Sequence, residues 1–257
     1  MHAFTDTTVF ITGASSGIGR ATADAFAKQG ANLLLCARRI ERLKELESTF
    51  LSSNTSTKVH SVELDVRDQK AVQKAIDALP EAWKDIDILV NNAGLSRGLD
   101  KLQEGSIEDW DEMLDTNVKG LLYVTRAVVP GMIARKRGHI INIGSIAGHE
   151  VYPKGNVYCA SKFAVDALTK GLRLDLVDTP LRVTGIDPGL VETEFSEVRF
   201  HGDKERAKTV YKGIEALTPE DIAETIVWCA SRPAHVQIAD VVIFPTNQGS
   251  AAVVHRV

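Results

Sequence analysis

Tyr158 and Lys162 stand four residues apart near the start of an apolar-periodic segment, Val157 to Val177, whose spacing predicts a helix. Residues four apart lie one above the other on a helix face, so the phenol and the ammonium can serve one site. A phenol with a reference pKa of ~10 exchanges protons poorly near neutrality. A neighbouring cation favours the phenolate and moves the group toward the range of a general acid–base. Taken alone, such a pair is ordinary solvated helix surface. Its meaning comes from the residues upstream.

Thr12-Gly13-Ala14-Ser15-Ser16-Gly17-Ile18-Gly19 joins an apolar run, Thr8 to Thr12, to a helical pattern, Ile18 to Gln29. Glycines at 13, 17 and 19 let a backbone turn tightly and approach a diphosphate, and the helix start offers free N–H groups and a positive dipole end. In a first strand–helix unit this predicts a dinucleotide site. The second strand ends in Cys36-Ala37 and runs into Arg38-Arg39, with no acid before Glu41. A ribose 2′-hydroxyl calls for a carboxylate there, whereas a 2′-phosphate calls for cations. Two guanidiniums at a helix start oppose the dipole and suit a phosphate monoester, which selects NADP. Asp65-Val66 ends the third strand within reach of an adenine edge, and Asn91-Asn92-Ala93-Gly94 closes the fourth where the cofactor should lie. Asparagines in such turns also serve simply to bond the backbone.

These motifs need a scaffold, and the chain alternates strand and helix patterns throughout. Strands are expected at Thr8–Thr12, Ala31–Ala37, Lys58–Leu64, Ile86–Val90, His139–Ile143, Leu181–Ile186 and Val236–Phe244. Helical patterns fill Ile40–Leu51, Gln69–Leu79, Ile107–Arg135 and Pro219–Ser231 between them. Most strands are continuous Val/Ile/Leu runs, as expected when helices cover both faces of a parallel sheet. The predicted architecture is a single α/β domain over 1–257, Rossmann-type and doubly wound, on a seven-stranded, mostly parallel sheet. Pro188 to Leu217 lacks a clear element, is rich in charge and follows a strand directly; a segment of this length is expected to cover the substrate.

Composition excludes several function classes. The 257 residues are 44% hydrophobic and 25% charged with a net charge of −4, so no basic footprint marks a nucleic-acid partner. No apolar run approaches ~18 residues and the start, Met1 to Asp6, lacks a leader pattern, so neither membrane nor secretion is expected. Cys36, Cys159 and Cys229 lie far apart in apolar segments and read as reduced, buried thiols. The scattered histidines form no metal-ligand spacing, so no protein-bound metal is expected. These features together favour the cytoplasm.

In order and spacing, TGASSGIG, NNAG, Ser145 and the Tyr158-Cys159-Ala160-Ser161-Lys162 stretch are similar to the short-chain dehydrogenase/reductase family, over essentially the whole chain. The resemblance implies a catalytic tetrad of Asn117, Ser145, Tyr158 and Lys162. Tyr158 would exchange the substrate proton, Ser145 would bond the reacting oxygen, and Lys162 would assist the phenol and hold the nicotinamide ribose. Asn117 would fix a water leading to solvent. The cofactor contacts implied are Gly13, Ser15, Ser16, Gly17, Ile18, Gly19, Arg38, Arg39, Asp65, Val66, Asn92, Ala93, Gly94, Tyr158, Lys162, Pro188, Gly189, Val191 and Thr193. The stretches Gly189–Ser196, Val198–Phe200 and Phe244–Asn247 further resemble the branch of NADP-dependent dehydrogenases that oxidise serine, allo-threonine, 3-hydroxyisobutyrate and related 3-hydroxy acids, and reduce malonic semialdehyde. That branch assignment calls for a cation to hold a desolvated carboxylate. Arg199 is preferred over Arg97 and Lys154. The family also implies a homotetramer. Two alternatives remain open: a reductase of β-ketoacyl thioesters, sugars or bulky ketones on the same fold, or a protein that senses NADP without turnover. Retention of both Tyr158 and Lys162 speaks against the second.

Overall fold

Within each inner strand, alternate residues feed two separate cores. Val9 and Ile11 of β1 (Thr8–Thr12) and Leu33 and Leu35 of β2 (Asn32–Ala37) point to one face; Phe10, Leu34 and Cys36 point to the other. The period of two in side-chain direction makes this division automatic once both faces are covered. The computed structural model describes residues 3–52 and 57–257, so Met1 and His2, part of the start read for a leader, lie outside it.

The remaining strands are β3 (Val59–Glu63), β4 (Ile88–Asn91), β5 (His139–Ile143), β6 (Arg182–Pro188) and β7 (Asp240–Ile243). They form one seven-stranded sheet in the order β3-β2-β1-β4-β5-β6-β7, and every pairing is parallel. The helices α1 (Gly17–Lys28), α2 (Ile40–Ser52) and α9 (Pro219–Ala230) cover the face lined by Phe26, Leu43, Leu46, Ile222 and Ile226. The opposite face is covered by α3 (Gln69–Asp77), α5 (Leu121–Arg135) and α6 (Asn156–Asp175), through Val72, Val124, Val128, Met132 and Leu176 beyond the α6 end. The winding reverses between β1 and β4, which opens a crevice at the carboxyl ends of these strands, the usual ligand position in such a sheet.

Three elements differ from the sequence reading. The long helix expected over Ile107–Arg135 is α4 (Ile107–Leu114) and α5 joined by a π-helical turn, Asp115–Gly120, which carries Asn117. One wide turn shifts the apolar pattern too little to be seen in spacing, and such turns recur at functional sites. The last strand is shorter than Val236–Phe244, because the Gln237 side chain, not a main-chain carbonyl, accepts the Val183 N–H (2.8 Å); regular pairing starts at Gly185–Asp240. Finally, the covering segment contains two helices, α7 (Phe195–Arg199) and α8 (Lys204–Tyr211). A side-chain cap marks the start of α8, where Asp203 accepts the Arg206 N–H.

Candidate active site

A cleft of about 1270 Å³ runs along the carboxyl ends of the strands, from Arg38, Arg39 and Asp65 at one end to Ser145, Tyr158 and Arg199 at the other. It brings together nearly all the residues singled out above; Gly19 and Asn117 stand behind its wall. The glycine loop shows why Gly19 does so. An added Cβ on Gly19 would lie 2.4 Å from Asn92 Nδ2, and one on Gly13 would lie 2.9 Å from the Ala93 Cα. These two glycines let the loop pack against the Asn92-Ala93 turn. Asn92 Nδ2 donates to the Thr12 carbonyl (2.9 Å), and the N–H groups of Asn92 and Ala93 donate to Thr12 Oγ1 (3.0 and 2.9 Å). Gly17 alone faces across the groove, where its Cβ position lies 3.4 Å from the Thr193 methyl.

Gly13 also has φ +66°, a region costly for residues with a Cβ. Gly13→Ala is therefore expected to lower the unfolding temperature of the cofactor-free protein by roughly 5 °C, about 1–2 kcal/mol of backbone and contact cost. Thermal unfolding followed by circular dichroism checks this, and an unchanged midpoint would contradict the packing just described.

The two neighbouring arginines diverge. Arg39 Nη2 donates to Ser15 Oγ (3.2 Å) and Ser16 Oγ (3.0 Å), whereas Arg38 turns toward Glu112 (3.5 Å). Arg42, in the first turn of α2, joins Arg39; it was missed by sequence reasoning. Arg42 Nη1 contacts both carboxylate oxygens of Glu194 (2.8 and 2.9 Å), and Arg39 Nη1 lies 3.4 Å from the same group. Asp65 borders the cleft, but Arg67 grips its carboxylate in a fork (2.6–3.0 Å). Burial works against the Asp65 charge, yet the Arg67 guanidinium and N–H outweigh it and hold the group below the usual carboxylate range. Any adenine contact by this side chain competes with Arg67.

At the catalytic end, Ser145 follows β5 and caps the short turn Ile146–Gly148. Its N–H donates to Asp187 Oδ1 (3.0 Å) and its Oγ accepts the Ala147 N–H (3.1 Å). Tyr158 and Lys162 rise from the first turns of α6, where both are buried. Burial pushes the Tyr158 phenol above its usual range, Tyr152 adds to the rise, and Arg199 and Ser145 oppose it. The Lys162 ammonium stands 6.0 Å from the Tyr158 ring centre and donates to the Ile143 carbonyl (2.9 Å). Burial pushes Lys162 itself down to about 8, against the pull of Asp187. Its Nζ lies 3.7 Å from the Cβ position of Gly94, within van der Waals contact. Asn117 has no free role visible in its side chain: Oδ1 accepts the Leu95 N–H (2.8 Å), and Nδ2 donates to the Leu95 carbonyl (2.8 Å) and Ser161 Oγ (3.0 Å).

Arg199, on α7, reaches over this site. Its Nε donates to Ser96 Oγ (3.1 Å) and its Nη2 to the Tyr152 hydroxyl (3.2 Å). The guanidinium carbon lies 5.5 Å from the Tyr158 ring centre and 5.3 Å from that of Phe195, which itself meets Tyr158 edge-on at 5.7 Å. Arg97 is committed to Glu112 (2.6 Å) and the Val198 carbonyl (2.5 Å), and exposed Lys154 lies outside the cleft. Nothing in the spacing of Ser96, Tyr152 and Arg199 could have revealed their convergence.

Residues 7–204 match the family model for short chain dehydrogenases. The chain is a short-chain dehydrogenase. Two curated relatives bear the name NADP-dependent 3-hydroxy acid dehydrogenase. The one from Schizosaccharomyces pombe is 48% identical over 97% of this chain and 96% of its own length. The one from Salmonella typhi is 50% identical over 96% of this chain and 99% of its own. Among solved structures, a closed form of serine dehydrogenase complexed with NADP+ superposes with a TM-score of 0.91 at 46% identity, covering 98% of this chain and 100% of that one. Serine dehydrogenase from Escherichia coli gives 0.81 at 42% identity, covering 95% and 100%. As in other short-chain dehydrogenases, the chemistry of this oxidoreductase is directed at a carbon bearing a hydroxyl group. Among the described residues, no helix is long and apolar enough to cross a membrane.

Proposed function

We propose that this protein transfers a hydride between NADP and a small 3-hydroxy acid such as serine, allo-threonine or 3-hydroxyisobutyrate, in the cytoplasm and as a homotetramer. The observation that carries the substrate reading is the Arg199 guanidinium, held by Ser96 and Tyr152 beside the Tyr158 ring. A cation fixed beside the proton-exchanging tyrosine suits a substrate whose hydroxyl-bearing carbon is one carbon removed from its carboxylate. The names of the two relatives and the titles of the serine dehydrogenase structures support the same reading.

The donor set of the cleft fits NADP. Ser15, Ser16, Arg39 and Arg42 offer the charged and neutral donors that a 2′-phosphate takes. The floor at Gly94 leaves a side chain only tight space beside Asn117, with the Lys162 ammonium next to it to serve the ribose. Bound NADP supplies the carbon that accepts or returns the hydride. In oxidation, Tyr158 takes the hydroxyl proton as the carbon loses its hydride, and in reduction it returns that proton to the oxygen. Ser145 donates a hydrogen bond to this oxygen, with its main chain anchored by Asp187. Asn117 acts by holding the Leu95 backbone and Ser161 beneath the site. Arg199, beside the phenol ring, favours its ionisation against burial. Buried thiols at Cys36, Cys159 and Cys229 support a reducing compartment. Apolar side chains left exposed on α5 and α6 (Leu122, Ile133, Phe163) support assembly.

The test is a substrate panel assayed with both nicotinamide cofactors. Serine, allo-threonine and 3-hydroxyisobutyrate are expected to be oxidised with NADP, with NAD much less effective. Arg39→Ala is expected to weaken NADP binding roughly tenfold or more, since a charged hydrogen bond contributes ~1.5–3 kcal/mol. Efficient reduction of neutral ketones with no activity on any hydroxy acid would overturn the substrate reading. Equal wild-type affinity for NAD and NADP would overturn the cofactor reading.

A further inference from the structure

We propose that Glu194 is a specificity-determining residue of the cofactor cleft. Its carboxylate is the resident counter-anion of the Arg39–Arg42 pair, and a 2′-phosphomonoester displaces it. This inference rests on the cofactor reading above.

Glu194 sits where two parts of the cleft meet. Both its oxygens contact Arg42 Nη1 (2.8 and 2.9 Å), and Oε2 lies 3.4 Å from Arg39 Nη1. On its other side, the Arg39 fork bonds the hydroxyls of Ser15 and Ser16. Two guanidiniums thus hold one carboxylate, with two hydroxyls bonded to Arg39 beside it, and these are the groups that a phosphate monoester uses. Burial opposes the Glu194 charge, but Arg42 and then Arg39 outweigh it and hold the carboxyl below its usual range, so the group is anionic at neutral pH.

A phosphate monoester carries ~1.5–2 negative charges and three acceptor oxygens near neutrality. It cannot share both forks with a carboxylate without like-charge repulsion, and it outbids a single carboxylate for them. The exchange is inexpensive, because the pairs broken are half exposed: Arg39, Arg42 and Glu194 are 45%, 41% and 44% accessible. Pairs so exposed contribute only ~0–1 kcal/mol. A cofactor ending in a 2′-hydroxyl leaves the carboxylate in place as an acceptor. Glu194 therefore narrows the preference for the phosphorylated cofactor.

The displacement has a second consequence. Glu194 directly precedes α7, and α7 carries Phe195 and Arg199 onto the Tyr158 ring. Arg39 and Arg42 thus tether, through Glu194, the helix that closes the catalytic end. Breaking the tether frees the first turn of the covering segment to adjust when the phosphorylated cofactor arrives.

Calorimetric titration of the whole protein with adenosine 2′,5′-bisphosphate and with adenosine 5′-monophosphate tests the proposal without turnover. Glu194→Gln keeps the size and loses the charge. It is expected to bind the bisphosphate roughly three- to tenfold more tightly, with the monophosphate changed less than about twofold, as befits one screened charge at short range. Arg42→Ala should weaken the bisphosphate alone. Hydrogen exchange at residues 194–199 should rise in the wild type on adding the bisphosphate, and should already be raised in free Glu194→Gln. Unchanged or weaker bisphosphate binding by Glu194→Gln, in a wild type that discriminates the two nucleotides, would overturn this inference alone. A wild type that binds both equally would overturn the cofactor reading, and this inference with it.

Discussion

Replacing Tyr158 with Phe is expected to lower turnover by roughly two to four orders of magnitude, the range for a positioned general acid–base. NADP affinity should stay within about twofold, because in the proposed reaction the lost hydroxyl serves the substrate oxygen. The ring itself remains: Phe keeps the edge-on contact with Phe195 and the guanidinium of Arg199 over its face. Steady-state kinetics with a fluorescence titration of the cofactor separates the two effects. Near-normal turnover in this variant would mean that another group carries the proton. The wild-type pH dependence has a matching sign. Burial raises the Tyr158 phenol, so the neutral form that reduction needs prevails at neutral pH. Oxidation needs the phenolate, and its rate should climb with pH, whereas reduction should hold level through neutrality. The opposite slopes would contradict the assignment.

Arg199→Ala is expected to raise KM for 3-hydroxy acids roughly ten- to a hundredfold, from the loss of ~1.5–3 kcal/mol of charge-assisted bonding. A neutral alcohol of similar size controls for loosening of α7 and should change far less. Arg199→Lys should recover only part of the loss. An ammonium keeps the charge, but it cannot reproduce the fork that bonds Ser96 and Tyr152 together. The ratio of kcat/KM for acid and alcohol across the three proteins is the measurement. If hydroxy acids are used and Arg199→Ala leaves that ratio unchanged, the carboxylate is held elsewhere.

Elements whose signal is local were legible in the sequence. The glycine loop, the arginine pair after β2, the asparagine turn after β4 and the Tyr158–Lys162 spacing each lie within one strand–turn–helix unit. There, backbone geometry alone relates residue spacing to position. Continuous apolar strands and amphipathic helices likewise announce a parallel sheet covered on both faces, and it formed with all seven strands parallel. The limits of this reading were local too. A single π-helical turn at Asp115–Gly120 leaves no trace in the periodicity, and the packing of Gly13 and Gly19 against Asn92 depends on a partner far along the chain.

Residues whose meaning depends on distant partners were decided only by the tertiary structure. Glu194 meets Arg39 and Arg42 from 155 and 152 residues away, and Arg199 reaches Ser96 across 103 and Tyr152 across 47. Sequence showed charges in a segment expected to cover the site, but a solvated charge and a paired one look alike in a linear chain. Pairing is set by where the sheet order brings the loops, and by the burial that makes an unpaired charge costly. The Tyr158 phenol follows the same rule. Its spacing from Lys162 identified the pair, whereas the burial that raises the phenol, and the Arg199 and Ser145 contacts that oppose it, came only with the folded protein. Spacing along the chain establishes which groups can meet; the dielectric and the partners they meet exist only once the chain has folded.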